Sequence, residues 1–185
     1  MKRLLISGYR SSDLGIFSNQ DPKLIIIKTL IKDRLVNFLD NDGEWLITGG
    51  QMGIEQWSIE VALELKNDYP QLKIALIRPF LDFGGHWNED NQAKLAQLIS
   101  VVDYSASISN QNYTNPGQLV GLNDFFVSHT DEAVLFYDQE NPAKVEFLYQ
   151  KILTKQSQDE NYQVEIIDFW TLADFADGLN DDFID

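Results

Sequence analysis

The sequence predicts an α/β fold: a doubly wound, mainly parallel sheet with helices on both faces, three layers in all. Three observations carry this. Short apolar runs recur along the chain, amphipathic helical patterns lie between them, and glycines cluster where a run ends and a helix begins. Runs that stay apolar without alternating suit strands covered on both faces, the condition of a parallel sheet.

Leu4-Leu5-Ile6 is the first strand, ending at Ser7-Gly8. Asp21-Pro22 supplies an N-cap and a first-turn proline for a helix from Leu24 to Leu39, which Asn41-Asp42-Gly43 closes. Trp45-Leu46-Ile47 is the second strand, and Ile54, Trp57, Val61 and Leu65 then fall on one face of a helix. Lys73 to Ile77 is the third strand. Asn88 caps a helix to about Ile99, and the run Val101-Val102 reads as the fourth strand. Asn115-Pro116 starts a helix carrying Leu119, Leu122 and Phe126, and Ala133 to Tyr137 is the fifth strand. Asn141-Pro142 starts a helix with Val145, Leu148 and Ile152. Val164 to Ile167 is the sixth strand, and a last short helix follows Trp170. No Pro- or Ser-rich linker interrupts the alternation, so residues 1–177 form a single ligand-binding domain and 178–185 a flexible acidic tail.

Composition removes several function classes. The 185 residues carry 29 acids against 14 bases, a net charge of −15 that repels phosphate backbones and makes nucleic acid a poor partner. Absence of cysteine excludes disulfides, thiolate metal sites and a cysteine nucleophile. The two histidines, His86 and His129, lie far apart, so no metal site is expected and no cofactor is required. No apolar stretch approaches the roughly 18 residues of a membrane span. The start, MKRLLISGYR, has too short an apolar run for a signal peptide, and a cytoplasmic location is expected.

Function is expected at the strand ends. Thr48-Gly49-Gly50-Gln51-Met52-Gly53-Ile54-Glu55 follows a strand and opens a helix, the place where an α/β sheet offers backbone N–H groups and a positive helix end to a ligand. Gly49 and Gly50 allow a tight turn and close approach, and Gly53 lets the helix sit near strand or ligand. The spacing is neither the P-loop nor the dinucleotide fingerprint. SGYRSSDLG, at the end of the first strand, brings Gly8, Arg10, Ser11 and Gly15 to the same rim. Arg10, and Arg78 at the end of the third strand, supply planar donor forks for phosphate or carboxylate. After the third strand, Phe80, Phe83, Trp87, Asn88 and Glu89, and after the fourth, Tyr113, sit in lid-like loops where aromatic rings and amides can stack on a base and read its edge. Glu55 is a helix-start acid that can also accept from ribose hydroxyls, and Asp138 in YDQEN is a further acid on the rim.

G-x-R-S followed by Gly15, then T-G-G-x-x-G-I-E opening an amphipathic helix, resembles the Rossmann-like core shared by the DprA/Smf proteins and the LOG phosphoribohydrolases, the SLOG superfamily. The chain is most similar to the YpsA family of Gram-positive bacteria, through GYRSSDLGIF, TGGQMGIEQW, RPF, HWNEDNQ, YTNPGQL and FLYQK, from about residue 1 to about 175. The resemblance implies a Rossmann-like fold that binds a nucleotide or nucleotide derivative, ADP-ribose- or NAD-like ligands included, and a link to cell division through a protein partner. LOG hydrolases carry P-G-G-x-G-T-x-x-E, with the acid four residues past the last glycine; here Glu55 lies two past Gly53. The leading expectation is therefore a binding or sensor protein. A nucleotide N-glycosidase with Glu55 as catalytic acid is the alternative, and a DprA-like DNA-binding module, disfavoured by the charge, the third. The ligand, the partner and the oligomeric state are not specified by the sequence.

Overall fold

The computed structural model describes residues 1–182, and along them six strands and six helices alternate. In order these are β1 (Lys2–Gly8), α1 (Pro22–Asp40), β2 (Gly43–Thr48), α2 (Ile54–Leu65), β3 (Lys73–Arg78), α3 (Glu89–Val101), β4 (Tyr104–Ser107), α4 (Gly117–Ser128), β5 (Glu132–Phe136), α5 (Glu146–Gln158), β6 (Gln163–Ile167) and α6 (Phe169–Asp182). The strands form one sheet in the order β4-β3-β2-β1-β5-β6, every pair parallel. The chain winds outward from β1 to β4, then crosses back to the other side of β1. The order therefore reverses between β1 and β5, which opens a crevice at their carboxyl ends.

Alternation along β1 serves two cores. Leu4 and Ile6 enter the core under α1, α2 and α3, onto which Leu172 and Phe175 of α6 also pack. Leu5 enters the second core with Leu122 and Phe126 of α4 and Leu148, Tyr149 and Ile152 of α5. One face of the sheet thus carries four helices and the other two.

The caps act as their residue types dictate: Asp21 accepts the Lys23 N–H at 3.0 Å and Asn88 the Asn91 N–H at 2.9 Å. Two expectations are corrected. Val101-Val102 is not a strand: α3 continues to Val101, and the Val102 N–H bonds back to the Leu98 carbonyl at 3.2 Å. The fourth strand is Tyr104–Ser107, an edge of small and polar residues invisible to a search for apolar runs. The fifth helix starts at Glu146 rather than beside Pro142, because residues 143–145 first make a turn closed by the Glu146 N–H on Ala143. At the far end α6 runs through 178–182, inside the segment read as tail, whose remainder, 183–185, lies outside the described residues.

Candidate ligand-binding site

Two loops at the carboxyl rim are stitched together by backbone. The Ser11 N–H donates to the Met52 carbonyl at 3.1 Å, the Ile54 N–H to the Tyr9 carbonyl at 3.2 Å, and Arg10 bridges Gly53. Only glycine permits this crossing. Gly53 has φ +115°, and a Cβ there would stand 2.5 Å from both the Ser11 nitrogen and the Tyr9 oxygen. Tyr9 extends the network to the far side of the reversal. Its hydroxyl donates to the Asn141 carbonyl at 2.7 Å and accepts the Asp138 N–H at 2.8 Å, tying the loop after β1 to the loop after β5.

Glu55, in the first turn of α2, points back onto Gly49 just after β2. Only 9% of it is exposed, the Gly49 N–H donates to its carboxyl, and Oε2 has no partner although it is buried. Burial pushes its pKa from 4.5 up to about 8, against the downward pull of the Gly49 N–H. At neutral pH it is a carboxylic acid with a free donor and acceptor. Gly49 must be glycine for the same reason, since a Cβ there would fall 2.0 Å from Glu55 Oε2.

The crevice widens into a cavity of about 750 Å³ that reaches from Ser7, Gly8, Arg10, Gly50, Gln51 and Glu55 at the rim, past Pro79 and Phe83, into the groove between α4 and α5. Its cations are Arg10, Lys144 and Lys151, and its acids Asp13 and Glu55. Arg10 gives Nε and one terminal nitrogen to the two Asp13 oxygens at 3.0 and 2.9 Å, which raises the guanidinium pKa and holds the carboxyl below its usual range. Arg10 and Asp13 cancel, Lys151 is paired with Asp124 at 2.6 Å, and with the burial of Glu55 favouring its protonated form the charge of the lining rests on Lys144, in a chain of net charge −15.

Of the residues expected at the site, Gly8, Arg10, Gly50 and Glu55 line this cavity. Gly49 and Gly53 stand behind them as packing positions, and Ser11 and Gly15 shape the first loop. The Thr48 hydroxyl is buried and spent on the Ile6 carbonyl at 2.6 Å. The Asp138 carboxylate is likewise engaged, by the N–H groups of Glu140 at 2.9 Å and Phe169 at 3.1 Å. Arg78 shares a face of β3 with Ile74 and Leu76, outside the cavity lining, and its buried Nε has no partner. Trp87 and Tyr113 are the ends of an aromatic chain through Phe83 and Phe80, with centroids 5.2 to 5.8 Å apart, of which Phe83 alone reaches the cavity. Asn88 is a cap, and Glu89 lies in the exposed first turn of α3.

Sequence reading missed Lys144, Asp13 and the α4–α5 wall. Lys144 was findable, because it follows β5 on the same rim as Arg10 and Arg78. The wall was not: Leu119 carries the spacing of a core residue yet is 43% exposed. Among the described residues no cluster of potential metal ligands occurs, and no helix is long and apolar enough to cross a membrane.

Comparison with known proteins shows the family. The family model YpsA, described as the YspA SLOG family, matches residues 4–172. Three similar chains are UPF0398 proteins: one of Oenococcus oeni, 45% identical over 97% of this chain and 96% of that protein; one of Latilactobacillus sakei, 49% identical over 97% and 96%; and one of Levilactobacillus brevis, 48% identical over 95% and 93%.

Proposed function

We propose, since the chain belongs to the YpsA family of SLOG proteins, that it binds an anionic, nucleotide-derived ligand at the carboxyl ends of β1 and β2 and reports its presence to a protein partner. The observation that supports this reading is the rim of the cavity: Arg10, whose second terminal nitrogen lies outside the Asp13 pair, and Lys144 stand at one opening of a strongly acidic protein, beside a buried acid whose proton burial favours. Phosphate fits the outer side of Arg10, whose second terminal nitrogen is free of the Asp13 pair, together with Lys144. The Glu55 carboxyl, able both to donate and to accept, suits a ribose hydroxyl, and Phe83 offers a ring edge or face to the base. The family resemblance favours a role in cell division for the partner.

Arg10→Ala tests the phosphate assignment. Losing a charge-assisted bond costs about 1.5–3 kcal/mol, so affinity for a nucleotide should fall roughly ten- to hundredfold while that for its nucleoside changes little. Equal losses, read by calorimetry, would reduce Arg10 to a loop support.

A second reading rests on Glu55 itself. A buried carboxyl that keeps its proton at neutral pH is equipped to protonate a leaving base, as a nucleotide N-glycosidase requires. Against it, the other acids brought to this rim are engaged: Asp13 is held by Arg10, and Asp138 by the Glu140 and Phe169 N–H groups. Wild-type protein incubated with nucleoside monophosphates and ADP-ribose is expected to release no free base by chromatography. Release that disappears in Glu55→Gln would replace the sensor by the hydrolase.

A further inference from the structure

Arg78 is the arginine at the strand ends that the cavity leaves out. Among the described residues the other three arginines each pair with a carboxylate: Arg3 with Asp131, Arg10 with Asp13 and Arg34 with Glu165. Arg78 pairs with none, in a chain where acids outnumber bases 29 to 14. It is half-buried, and its Nε is fully buried without a hydrogen-bond partner. A guanidinium donates hydrogen bonds and accepts none, and an unpaired one held out of water costs stability. The position therefore calls for an acceptor that carries negative charge.

The neighbouring strand supplies a second donor. Ser105 of β4 pairs in register with Leu76 and Ser107 with Arg78, so both serines stand on the face of the sheet that Arg78 occupies. The Ser107 hydroxyl donates to the Ser109 carbonyl at 2.9 Å, whereas the buried Ser105 hydroxyl has no partner. Three buried side-chain atoms lack a partner among the described residues: one is Glu55 Oε2 in the cavity, and the other two are Arg78 Nε and Ser105 Oγ, on one face of adjacent strands. Pro79, next in the chain, and Phe83, which packs on the same core as Leu76, both line the cavity, so these two donors adjoin the ligand site. We propose that Arg78 and Ser105 form a second oxyanion subsite, which takes a phosphate or carboxylate group on the α3 face of the sheet. Only the origin of that group rests on the nucleotide reading: it is the distal anionic group of the cavity ligand or a separate anion bound beside it.

Inorganic phosphate is the probe, because it enters the subsite whichever origin is correct. In Arg10→Ala, which weakens the first anion position, about 10 mM phosphate is expected to raise the thermal midpoint by roughly 2–5 °C over chloride of equal ionic strength. Adding Arg78→Met should abolish that rise, and adding Ser105→Ala instead should lower phosphate affinity about fivefold. Without phosphate, Arg78→Met should melt no lower than its parent, since methionine keeps an apolar stem and removes the unpaired charge. Calorimetry on otherwise wild-type protein separates the origins. If Arg78→Met weakens a nucleoside diphosphate roughly ten- to hundredfold and the monophosphate little, the group belongs to the cavity ligand; if it weakens neither while phosphate binding is lost, the group is a separate anion. No rise in the Arg10→Ala protein, a rise that Arg78→Met and Ser105→Ala leave intact, or an Arg78→Met protein that melts well below its parent would overturn the subsite and return Arg78 to a support of the fold. Absence of nucleotide binding beside an Arg78-dependent phosphate response would overturn the nucleotide reading alone.

Discussion

Glu55→Gln is expected to stabilise the fold at about pH 8, by on the order of 3–4 kcal/mol, with the gain fading toward pH 4–5. The folded chain holds the Glu55 proton up to about pH 8, whereas the ordinary value of such a carboxyl is 4.5. Between those values the unfolded state binds fewer protons than the folded one, so stability falls as pH rises through the window and levels off above it. Each pH unit is worth about 1.4 kcal/mol, which bounds the effect at roughly 4–5 kcal/mol before any cost of fitting the amide. Glutamine keeps the shape: its oxygen can accept from the Gly49 N–H, while its NH2 takes the place of the buried, unpartnered Oε2 and lowers the gain by the cost of an unpaired amide. Denaturant unfolding of both proteins at about pH 5 and about pH 8 checks this. A variant with the same relative stability at both values, or one weaker at the higher, would mean that burial does not hold the proton. A stabilising substitution here also identifies an acid retained for its ligand rather than for the fold.

Gly53→Ala is expected to act the opposite way, costing about 3 kcal/mol or more and abolishing ligand binding. A non-glycine residue at such a backbone conformation costs roughly 1–3 kcal/mol by itself. The new Cβ would also meet two backbone atoms at 2.5 Å, neither of which can rotate aside, so the loops after β1 and β2 must separate. Gly15→Ala is the control: φ is +64° there too, but no atom lies within 4 Å of the added Cβ. Its cost should stay near 1–2 kcal/mol, the penalty of the left-handed region alone. Equal destabilisation of the two variants in thermal unfolding would show that the loop crossing carries no special weight.

The fold was largely legible because its signals are local. Asp21 and Asn88 mark helix starts by the side-chain oxygen that an uncapped N–H needs, and the buried strands are apolar on both faces. Tyr104–Ser107 escaped because an edge strand has no such requirement, and the neighbouring valines obeyed the helix that precedes them. The rim rule found Arg10 and Glu55, since parallel strands deliver their following loops to one edge. It could not tell which rim residues are already engaged. Thr48 and Asp138 look like ligand groups in sequence, and only their partners, the Ile6 carbonyl and the Glu140 and Phe169 N–H groups, show that they hold the backbone. Nor can helical spacing distinguish a residue facing the core from one facing a groove, the case of Leu119.

The reversal between β1 and β5 sets a schedule for synthesis. Leu4 of β1 pairs with Glu132 of β5, and Arg3 is held by Asp131 across 128 residues of chain. At typical elongation rates the ribosome needs on the order of ten seconds to deliver that partner. Until then β2, β3 and β4 can assemble on one side of β1 while its other side presents the unpaired backbone of Leu4, Leu5 and Ile6, an apolar edge open to any passing strand. The nascent chain is therefore most exposed to misassembly after β4 has emerged and before β5 has, an interval whose length translation speed through the α4 codons controls.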